Sequence, residues 1–290
     1  MAAARSRRRK QPGVSASPVV AERDAPRLVV NDLTVSFGGI LALDAVSMSA
    51  APGEVVGVIG PNGAGKTTLF NVMCGFVRAK SGVVTYGDAS LLGHHRPHDL
   101  AKLGISRTLQ GVGLFPGLTI LENVMTGAQP ALRSGLGSAF LGLWRSNREE
   151  RRIAALATEL LEELGVAAYR GRLPSTLPYP VQKRAALARS LAAEPTLLLL
   201  DEPAGGLSND DMDELGSLIR SLGTRMSVLV VEHHMDLVMS VCDRVVVLNF
   251  GQVIADGTPQ AILSNSEVAT AYLGDEVHAT TPAPGASNGA

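Results

Sequence analysis

The sequence predicts an α/β fold on the strength of three observations. Strand-like and helix-like segments alternate along most of the chain, which is the pattern of a sheet joined by crossover helices. An apolar strand at residues 53–60 runs into a glycine-rich turn, and a helix follows at 67–74. Four consecutive leucines at 197–200 are typical of a strand that is buried on both faces of a parallel sheet.

The other elements follow in order along the chain. Residues 28–35 are predicted to form a strand, and residues 81–87 a strand and turn. Apolar residues recur at steps of three and four over 148–164, which predicts an amphipathic helix with its C-terminal cap at Gly165. Further buried strands are predicted at 227–231 and 244–248.

Composition and charge exclude several classes of protein. With 290 residues, of which 46% are hydrophobic, the chain is too apolar to be disordered and can bury a sizeable core. The 26 basic and 27 acidic residues give a net charge of −1, so we expect no nucleic-acid partner. The two cysteines are too few for a disulfide framework or a cysteine-rich zinc site. No apolar run reaches the roughly 18 residues of a membrane span.

Both ends of the chain are predicted to be disordered tails, at residues 1–27 and 276–290, because neither shows hydrophobic periodicity. The first tail carries a basic cluster, Arg5–Lys10. This cluster is either a solvated segment or a weak attachment to anionic lipid head groups. The ordered part, residues 28–275, has the length of one domain.

Residues 60–68 (GPNGAGKTT) fit the pattern G-x-x-x-x-G-K-[ST] between a strand and a helix. Glycines allow successive backbone N–H groups to converge on phosphate oxygens, and the helix N-terminus adds positive potential. A chance glycine-rich turn is the alternative, and the strand and helix around the motif argue against it. The motif predicts binding of ATP with Mg²⁺, in which Lys66 reaches the β- and γ-phosphates and Thr67 coordinates the metal. The predicted nucleotide-binding residues of this loop are Asn62, Gly63, Ala64, Gly65, Lys66, Thr67 and Thr68.

Two carboxylates end the leucine-rich strand. Asp201 is predicted to hold Mg²⁺, and Glu202 to orient and polarise the attacking water. Acidic turn residues after a strand are common, so the interpretation of this pair as metal ligand and base depends on the phosphate loop upstream.

Together with three further residues, these motifs resemble the ATP-binding subunit of an ABC transporter over residues 28–275. The resemblance implies that Phe37 stacks on adenine, and that Gln110 senses Mg²⁺ and water and faces the membrane subunit. It implies that His233 contacts the γ-phosphate and acts with Lys66 and Glu202 in catalysis. It also implies a P-loop NTPase fold with an N-terminal antiparallel β subdomain and an inserted helical subdomain at about 112–183.

Within that superfamily the chain is similar to the ATPases of branched-chain (hydrophobic) amino acid importers. The similarity lies in short segments spread along the chain and in a long insertion at about 127–147. The segments are FGG at 37–39, RTLQ at 107–110, LTILENV at 118–124, DEPAGGL at 201–207, EHHMDLVM at 232–239 and AYLG at 271–274.

Residues 178–181 depart from the pattern of the ABC ATPase family. ABC ATPases work as head-to-tail dimers in which a Leu-Ser-Gly-Gly-Gln signature contacts the partner's γ-phosphate. Here the signature positions hold Pro178, Tyr179, Pro180 and Val181. Pro178 removes the serine hydroxyl, and Pro180 removes a backbone N–H. Proline is well tolerated at the first position of a helix, so we still expect a helix from Gln182 onward.

The resemblance implies ATP hydrolysis that drives import at the cytoplasmic face of the membrane. The implied partners are transmembrane permease subunits, a second ABC ATPase subunit, preferably a different one, and indirectly a solute-binding protein. One alternative is a regulatory subunit that holds ATP with little hydrolysis of its own. Another is an ABC protein of DNA repair or translation, which the lack of a long heptad run and of a second phosphate loop argues against.

Two smaller features leave alternatives open. His94, His95 and His98 form either a polar turn before a helix near Asp99 or a metal site, which would need converging ligands. The apolar cluster around Trp144 either packs the helical subdomain or contacts a membrane partner.

Overall fold

A computed structural model describes residues 27–93, 96–108, 111–128 and 143–279. The strands are β1 (Leu28–Phe37), β2 (Ile40–Ala50), β3 (Val55–Ile59), β4 (Ser81–Tyr86), β5 (Ala89–Ser90), β6 (Ile105–Arg107), β7 (Leu197–Asp201), β8 (Ser227–Val231), β9 (Arg244–Asn249) and β10 (Gln252–Gly257). The helices are α1 (Lys66–Met73), α2 (Ile120–Gly127), α3 (Leu143–Glu163), α4 (Tyr179–Leu191), α5 (Asn209–Gly223), α6 (Met235–Val241), α7 (Pro259–Leu263) and α8 (Ser266–Ala279). Short 3₁₀ helices cover Pro97–Leu103, Ala167–Tyr169 and Pro174–Thr176.

The central sheet has six strands in the order β10-β9-β3-β8-β7-β6. All neighbours are parallel except β10, which pairs with β9 antiparallel. Strands β3, β7 and β8 are buried along their whole length because both faces of the sheet are covered. In β7, Leu198 and Leu200 face one core while Leu197 and Leu199 face the other. This explains why the strand reads as an uninterrupted apolar run.

The second sheet contains four antiparallel strands in the order β2-β1-β4-β5. Its inward side chains, such as Leu33 and Val46, share a core with α1 and with one face of the central sheet. This arrangement confirms the predicted N-terminal antiparallel β subdomain. Helix α1 is thereby clamped between the two sheets, with Leu69 and Phe70 fully buried.

A helical region lies between β6 and β7 in the chain, as predicted. Helix α2 starts at a capping box in which the Thr119 side chain accepts from the N–H of Glu122 and the Glu122 carboxylate accepts from the N–H of Thr119. Apolar residues of α2, α3 and α4, among them Val124 and Leu161, join the core on the other face of the central sheet. Helix α4 continues through the predicted subdomain boundary at 183 and so links this region to the central core.

Several boundaries differ from those predicted, and the largest difference is at α3, which begins at Leu143 rather than at 148. Strand β1 continues to Phe37, because its pairing with β2 extends to the tight turn at Gly38. Helix α4 begins at Tyr179 rather than at Gln182, since the carbonyl of Pro178 already accepts from the N–H of Gln182 at 3.2 Å. Helix α8 runs to Ala279 and so includes residues 276–279 of the predicted C-terminal tail. No proline interrupts that helix before Pro282.

Several predicted features lie outside the described residues. They are residues 1–26 and 280–290 of the two tails, residues 129–142 of the insertion, and the residues His94, His95 and Gln110. The side chain of Trp144 and those of its neighbours at 143–147 also lie outside the description. None of the helices in the described ranges has both the length and the apolar character needed to cross a membrane.

Candidate functional site

The phosphate loop, Asp201, Glu202 and His233 lie at one edge of the central sheet. Strands β3, β7 and β8 are parallel neighbours, so their carboxyl ends lie side by side, where ligands bind in open α/β sheets. The phosphate loop follows β3, Glu202 follows β7, and His233 follows β8. Backbone hydrogen bonds keep the ends of these strands side by side, since Glu202 N donates to Val231 O at 2.9 Å and Glu232 N donates to Val58 O at 3.4 Å.

The phosphate loop depends on glycine for its shape. Gly60, Gly63 and Gly65 have φ values of 148°, 78° and 104°, which are unfavourable for other residues. A Cβ on Gly60 would lie 2.0 Å from Leu248 O, and one on Gly65 would lie 2.6 Å from Ala42 O. A Cβ on Gly63 would meet nothing within 4 Å. The loop is therefore packed against the sheet at Gly60 and Gly65 and open at Gly63.

Helix α1 starts in this loop and supplies the next two predicted residues. Lys66 is buried, and its Nζ donates to Gly60 O at 2.6 Å and to Pro61 O at 2.8 Å. Thr67 is exposed in the first helical turn, where backbone N–H groups lack intrahelical acceptors and the helix dipole favours an anion. The site thus presents a fixed ammonium group, a hydroxyl and a set of N–H donors.

Asp201 is buried at the end of β7, and Arg107 from the end of β6 pairs with it. Arg107 Nη2 donates to Asp201 Oδ2 at 2.6 Å, and Nη1 donates to Asn71 Oδ1 at 2.8 Å. Burial lowers the pKa of Arg107, but the hydrogen bond and charge of Asp201 more than offset this and raise it. The guanidinium therefore stays charged, and it holds one oxygen of Asp201 in place.

The second oxygen of Asp201 is available for a cation. Asp201 Oδ1 is buried and has no hydrogen-bond partner among the residues that the structure describes. Unsatisfied buried polar atoms are rare and require an explanation. Carboxylate and hydroxyl oxygens are the ligands that Mg²⁺ prefers, so Asp201 Oδ1 and the Thr67 hydroxyl fit a magnesium ion chemically.

Glu202 occupies a strained turn next to Asp201. Its φ of 48° lies in the left-handed region, which costs a non-glycine residue about 1–3 kcal/mol and persists only where the surroundings enforce it. Its side chain is half-buried rather than enclosed. The turn places Glu202 directly after β7, at the same edge of the sheet as the phosphate loop that follows β3.

His233 lies on the neighbouring turn after β8, beside the fully buried Glu232. Glu232 accepts hydrogen bonds from the N–H groups of Ala204, His233 and His234 at 2.7, 2.9 and 3.2 Å. His233 has a half-exposed side chain, and its Nδ1 lies 3.7 Å from Glu232 Oε2. Glu232 thus joins the turn that carries His233 to the loop that carries Glu202.

Of the remaining predicted residues, Phe37 and the signature positions 178–181 are described by the structure, and Gln110 lies outside the described residues. Phe37 is half-exposed at the end of β1, so its ring is accessible for stacking. Pro178 is the N-cap of α4, and Tyr179, Pro180 and Val181 form its first turn. The Pro178 side chain makes no capping hydrogen bond, and Pro180 has no N–H to offer. The helix survives both prolines, as predicted.

The histidine prediction is resolved only for His98. His98 is exposed, with Nε2 3.7 Å from Asp99 Oδ2, and Asp99 accepts from Lys102 Nζ and Arg96 N. These contacts place His98 in the first turn of the 3₁₀ helix Pro97–Leu103, which is capped by Arg96 and Asp99. Among the described residues, the three side chains that approach each other closely enough to share a metal ion are Glu232, His233 and His234.

Sequence reasoning missed three residues that organise the site. Arg107 orients Asp201, Glu232 ties two turns together, and Lys183 donates to the carbonyls of Glu202 and Pro203. The burial of Glu232 could have been predicted from the sequence, because this carboxylate directly follows the apolar strand at 227–231 and is buried unless the chain turns outward. Arg107 and Lys183 act over 94 and 19 residues of chain, which no local pattern reveals.

Comparison with known families agrees with this geometry. The model of the ABC transporter family matches residues 43–205, which is more than half of the chain. The model described as branched-chain amino acid ATP-binding cassette transporter matches residues 252–278, the part that contains β10, α7 and most of α8. The two matches together cover the phosphate loop, the Asp201 strand and the C-terminal helices.

Characterised relatives and solved structures are similar over nearly their whole length. The chain is 39% identical to the high-affinity branched-chain amino acid transport ATP-binding protein LivG of Escherichia coli K12 over 252 residues, 86% of this chain and 98% of LivG. It is 38% identical to BraF of Pseudomonas aeruginosa, with the same coverage, and 32% identical to the E. coli lipopolysaccharide export ATP-binding protein LptB. The ADP conformation of MJ1267, an ATP-binding cassette of an ABC transporter, superposes with a TM-score of 0.74 at 30% identity and covers 86% of this chain and 99% of its own. The chain belongs to the ABC transporter family, in the group of branched-chain amino acid ATP-binding cassettes.

Proposed function

We propose that this protein binds and hydrolyses ATP to power the import of branched-chain amino acids or related small solutes. One observation carries the proposal: the phosphate loop, Asp201, Glu202 and His233 lie at the carboxyl ends of three neighbouring parallel strands, and hydrogen bonds join the segments after β7 and β8 to each other. This is the set of groups that transfer of a phosphoryl group to water requires. The similarity to LivG and BraF supports the cargo class.

Each side chain has a role that follows from its position. Lys66 and the N–H groups of the loop bind the β- and γ-phosphates, and Phe37 stacks on the adenine. Glu202 orients the attacking water and accepts its proton. His233 contacts the γ-phosphate and stabilises the charge that develops there. On binding, Lys66 Nζ exchanges its contacts with Gly60 O and Pro61 O for phosphate oxygens.

Thr67 and Asp201 are the residues that would hold Mg²⁺, together with Gln110. The ion supplies neutralisation of the charge on the β- and γ-phosphate oxygens. Asp201 could bind the ion without losing its contact with Arg107, because Arg107 occupies Oδ2 and leaves Oδ1 open.

Transport across a membrane requires subunits that span it. We propose that it binds transmembrane permease subunits at the cytoplasmic face of the membrane, through the Gln110 region and the helices between β6 and β7. A solute-binding protein would deliver cargo to the permease and contact this chain only indirectly. Closing and opening of an ATPase dimer would transmit the nucleotide state to the permease.

We also propose that the functional dimer contains a second, different ATPase. This chain carries its own phosphate loop, Glu202 and His233, but its signature positions lack the hydroxyl and one N–H because of Pro178 and Pro180. Loss of one such donor in other enzymes costs roughly 3 kcal/mol. The site completed by this chain's signature is then slow, and the site completed by the partner's is fast.

Two experiments test these proposals. Purification of the protein from its native membrane should recover a permease pair and a second ATPase, and vesicles with that complex should accumulate leucine when ATP is supplied. Recovery without a permease would contradict the transport role. The double substitution Pro178→Ser and Pro180→Gly should raise ATP turnover of the complex, and an unchanged rate would contradict the asymmetry.

The altered signature also favours a second candidate, a regulatory subunit that binds ATP with little hydrolysis. The two functions differ in the effect of Glu202. In the complex, Glu202→Gln abolishes most turnover if this chain hydrolyses ATP, and leaves turnover unchanged if the chain only regulates.

A further inference from the structure

Lys183 connects the signature helix to the loop that carries Glu202. It lies in the second turn of α4, and its Nζ donates to Glu202 O at 3.1 Å and to Pro203 O at 2.8 Å. A lysine that donates to two adjacent backbone carbonyls fixes the direction of the peptide groups between them. The position of this loop therefore depends on the position of α4.

A second contact from the same helix reaches the far end of the loop. The Tyr179 ring packs against Gly206, where a Cβ would lie 3.0 Å from Tyr179 Cε1. Lys183 Nζ also lies 5.5 Å from the centroid of that ring, within the range of a cation–π contact. The first two turns of α4 thus hold both ends of the segment 202–206.

The opposite side of the segment is held by strand β8 and the turn after it. Glu202 N donates to Val231 O at 2.9 Å, and Ala204 N donates to Glu232 Oε1 at 2.7 Å. Glu202 keeps its left-handed backbone between these two sets of contacts. Since such a backbone relaxes when its support is removed, loss of the Lys183 contacts would displace the Glu202 side chain.

The charges around Lys183 agree with this arrangement. Burial lowers the pKa of Lys183, and the nearby carboxylates of Glu232 and Glu202 oppose that effect. Both carboxylates therefore attract the ammonium group that donates to the carbonyls of Glu202 and Pro203.

We propose that Lys183 is a positioning residue for Glu202 and couples the two nucleotide sites of the dimer. The inference rests on the proposed function, in which residues 178–181 complete the partner's site while Glu202 serves this chain's own site. Lys183 joins these two segments within one chain. Engagement of the signature by the partner's nucleotide is thereby transmitted to the base that acts on this chain's nucleotide.

The test uses the complete transporter with variants of this chain. Lys183→Met keeps the aliphatic side chain and removes all donors, Lys183→Arg keeps donors, and Lys80→Met is the same change at an exposed lysine. For Lys183→Met we expect kcat to fall about tenfold to hundredfold, as a small misplacement of a catalytic group does. KM and the MgATP affinity should stay within about twofold, Lys183→Arg should recover most of the rate, and Lys80→Met should behave as wild type.

A double-mutant cycle separates positioning from a general structural role. If Lys183 acts through Glu202, adding Lys183→Met to Glu202→Gln causes little further loss, because the residue it positions has already lost its function. A further loss as large as that of the single variant would overturn the proposal. So would an unchanged kcat, or a kcat and a nucleotide affinity that fall together with the melting temperature.

Failure of the proposed function gives a different result. In that case the wild-type complex does not hydrolyse ATP, or Glu202→Gln alone leaves its turnover unchanged. A wild-type complex that hydrolyses ATP through Glu202 and is insensitive to Lys183→Met contradicts only the role of Lys183.

Discussion

Arg107 Nη2 lies 2.6 Å from Asp201 Oδ2, and both side chains are almost completely buried. The pair joins β6, which leads to Gln110, to β7, which ends at the proposed metal ligand. Arg107 also bonds Asn71 on α1, the helix that follows the phosphate loop. One guanidinium therefore fixes three segments of the nucleotide site relative to each other.

Replacement of Arg107 by Met should destabilise the fold and weaken magnesium binding. Removing one partner of a buried ion pair leaves an uncompensated charge, at a cost of about 3–5 kcal/mol. Urea denaturation in EDTA measures this loss, and Arg107→Lys should lose less because it keeps the charge. A Met variant as stable as wild type, with the same Mg²⁺ requirement for nucleotide binding, would contradict the role given to this pair.

Two glycines of the phosphate loop should respond differently to alanine. Gly63→Ala meets no neighbour and costs about 1–2 kcal/mol for its positive φ, but its methyl group projects from the open part of the loop and should weaken ATP binding. Gly60→Ala places a methyl group 2.0 Å from Leu248 O, so the backbone must move and stability should fall further. Thermal melting and nucleotide titration of both variants measure the two effects. A stable Gly63→Ala protein with wild-type affinity would be inconsistent with phosphate binding there.

Glu202→Gln should separate binding from hydrolysis. The amide keeps the size of the side chain but cannot accept the proton of the attacking water, and removal of a general base typically lowers the rate 10²–10⁴-fold. We expect unchanged MgATP affinity by calorimetry and a loss of at least about a hundredfold in turnover of the complex. Asp213→Asn, an exposed carboxylate on α5, is the matched control and should retain full turnover.

Cys242 should make stability depend on pH above neutrality. Burial raises the pKa of its thiol to about 12, whereas an unfolded cysteine ionises near about 8.5. Between these values the unfolded state binds fewer protons, so the free energy of unfolding falls as pH rises, by about 2 kcal/mol at pH 10. The free energy of unfolding, measured by urea denaturation at several pH values from 7.5 to 10, should therefore fall less steeply with pH for Cys242→Ala than for wild type. Equal slopes would contradict the burial of this thiol.

The sequence predicted the parts of the site that depend on local pattern. The phosphate loop and the Asp201 strand are contiguous motifs whose backbone geometry follows from glycine and from apolar runs. The helix expected from Gln182 onward begins three residues earlier, at Tyr179, because Pro178 is its N-cap and Pro180 lies in its first turn. The contacts of Arg107 and Lys183 depend on how distant segments pack, which no spacing along the chain encodes.

Residues 60–68 are proposed to bind the phosphates of ATP beside a metal held by Asp201. Isothermal titration calorimetry of the purified chain with ATP, with Mg²⁺ present and with EDTA in its place, measures this binding. We expect one binding site per chain, tighter binding with Mg²⁺, and loss of that Mg²⁺ enhancement in Asp201→Asn. No heat of binding from folded protein, or an enhancement that survives in Asp201→Asn, would contradict this proposal.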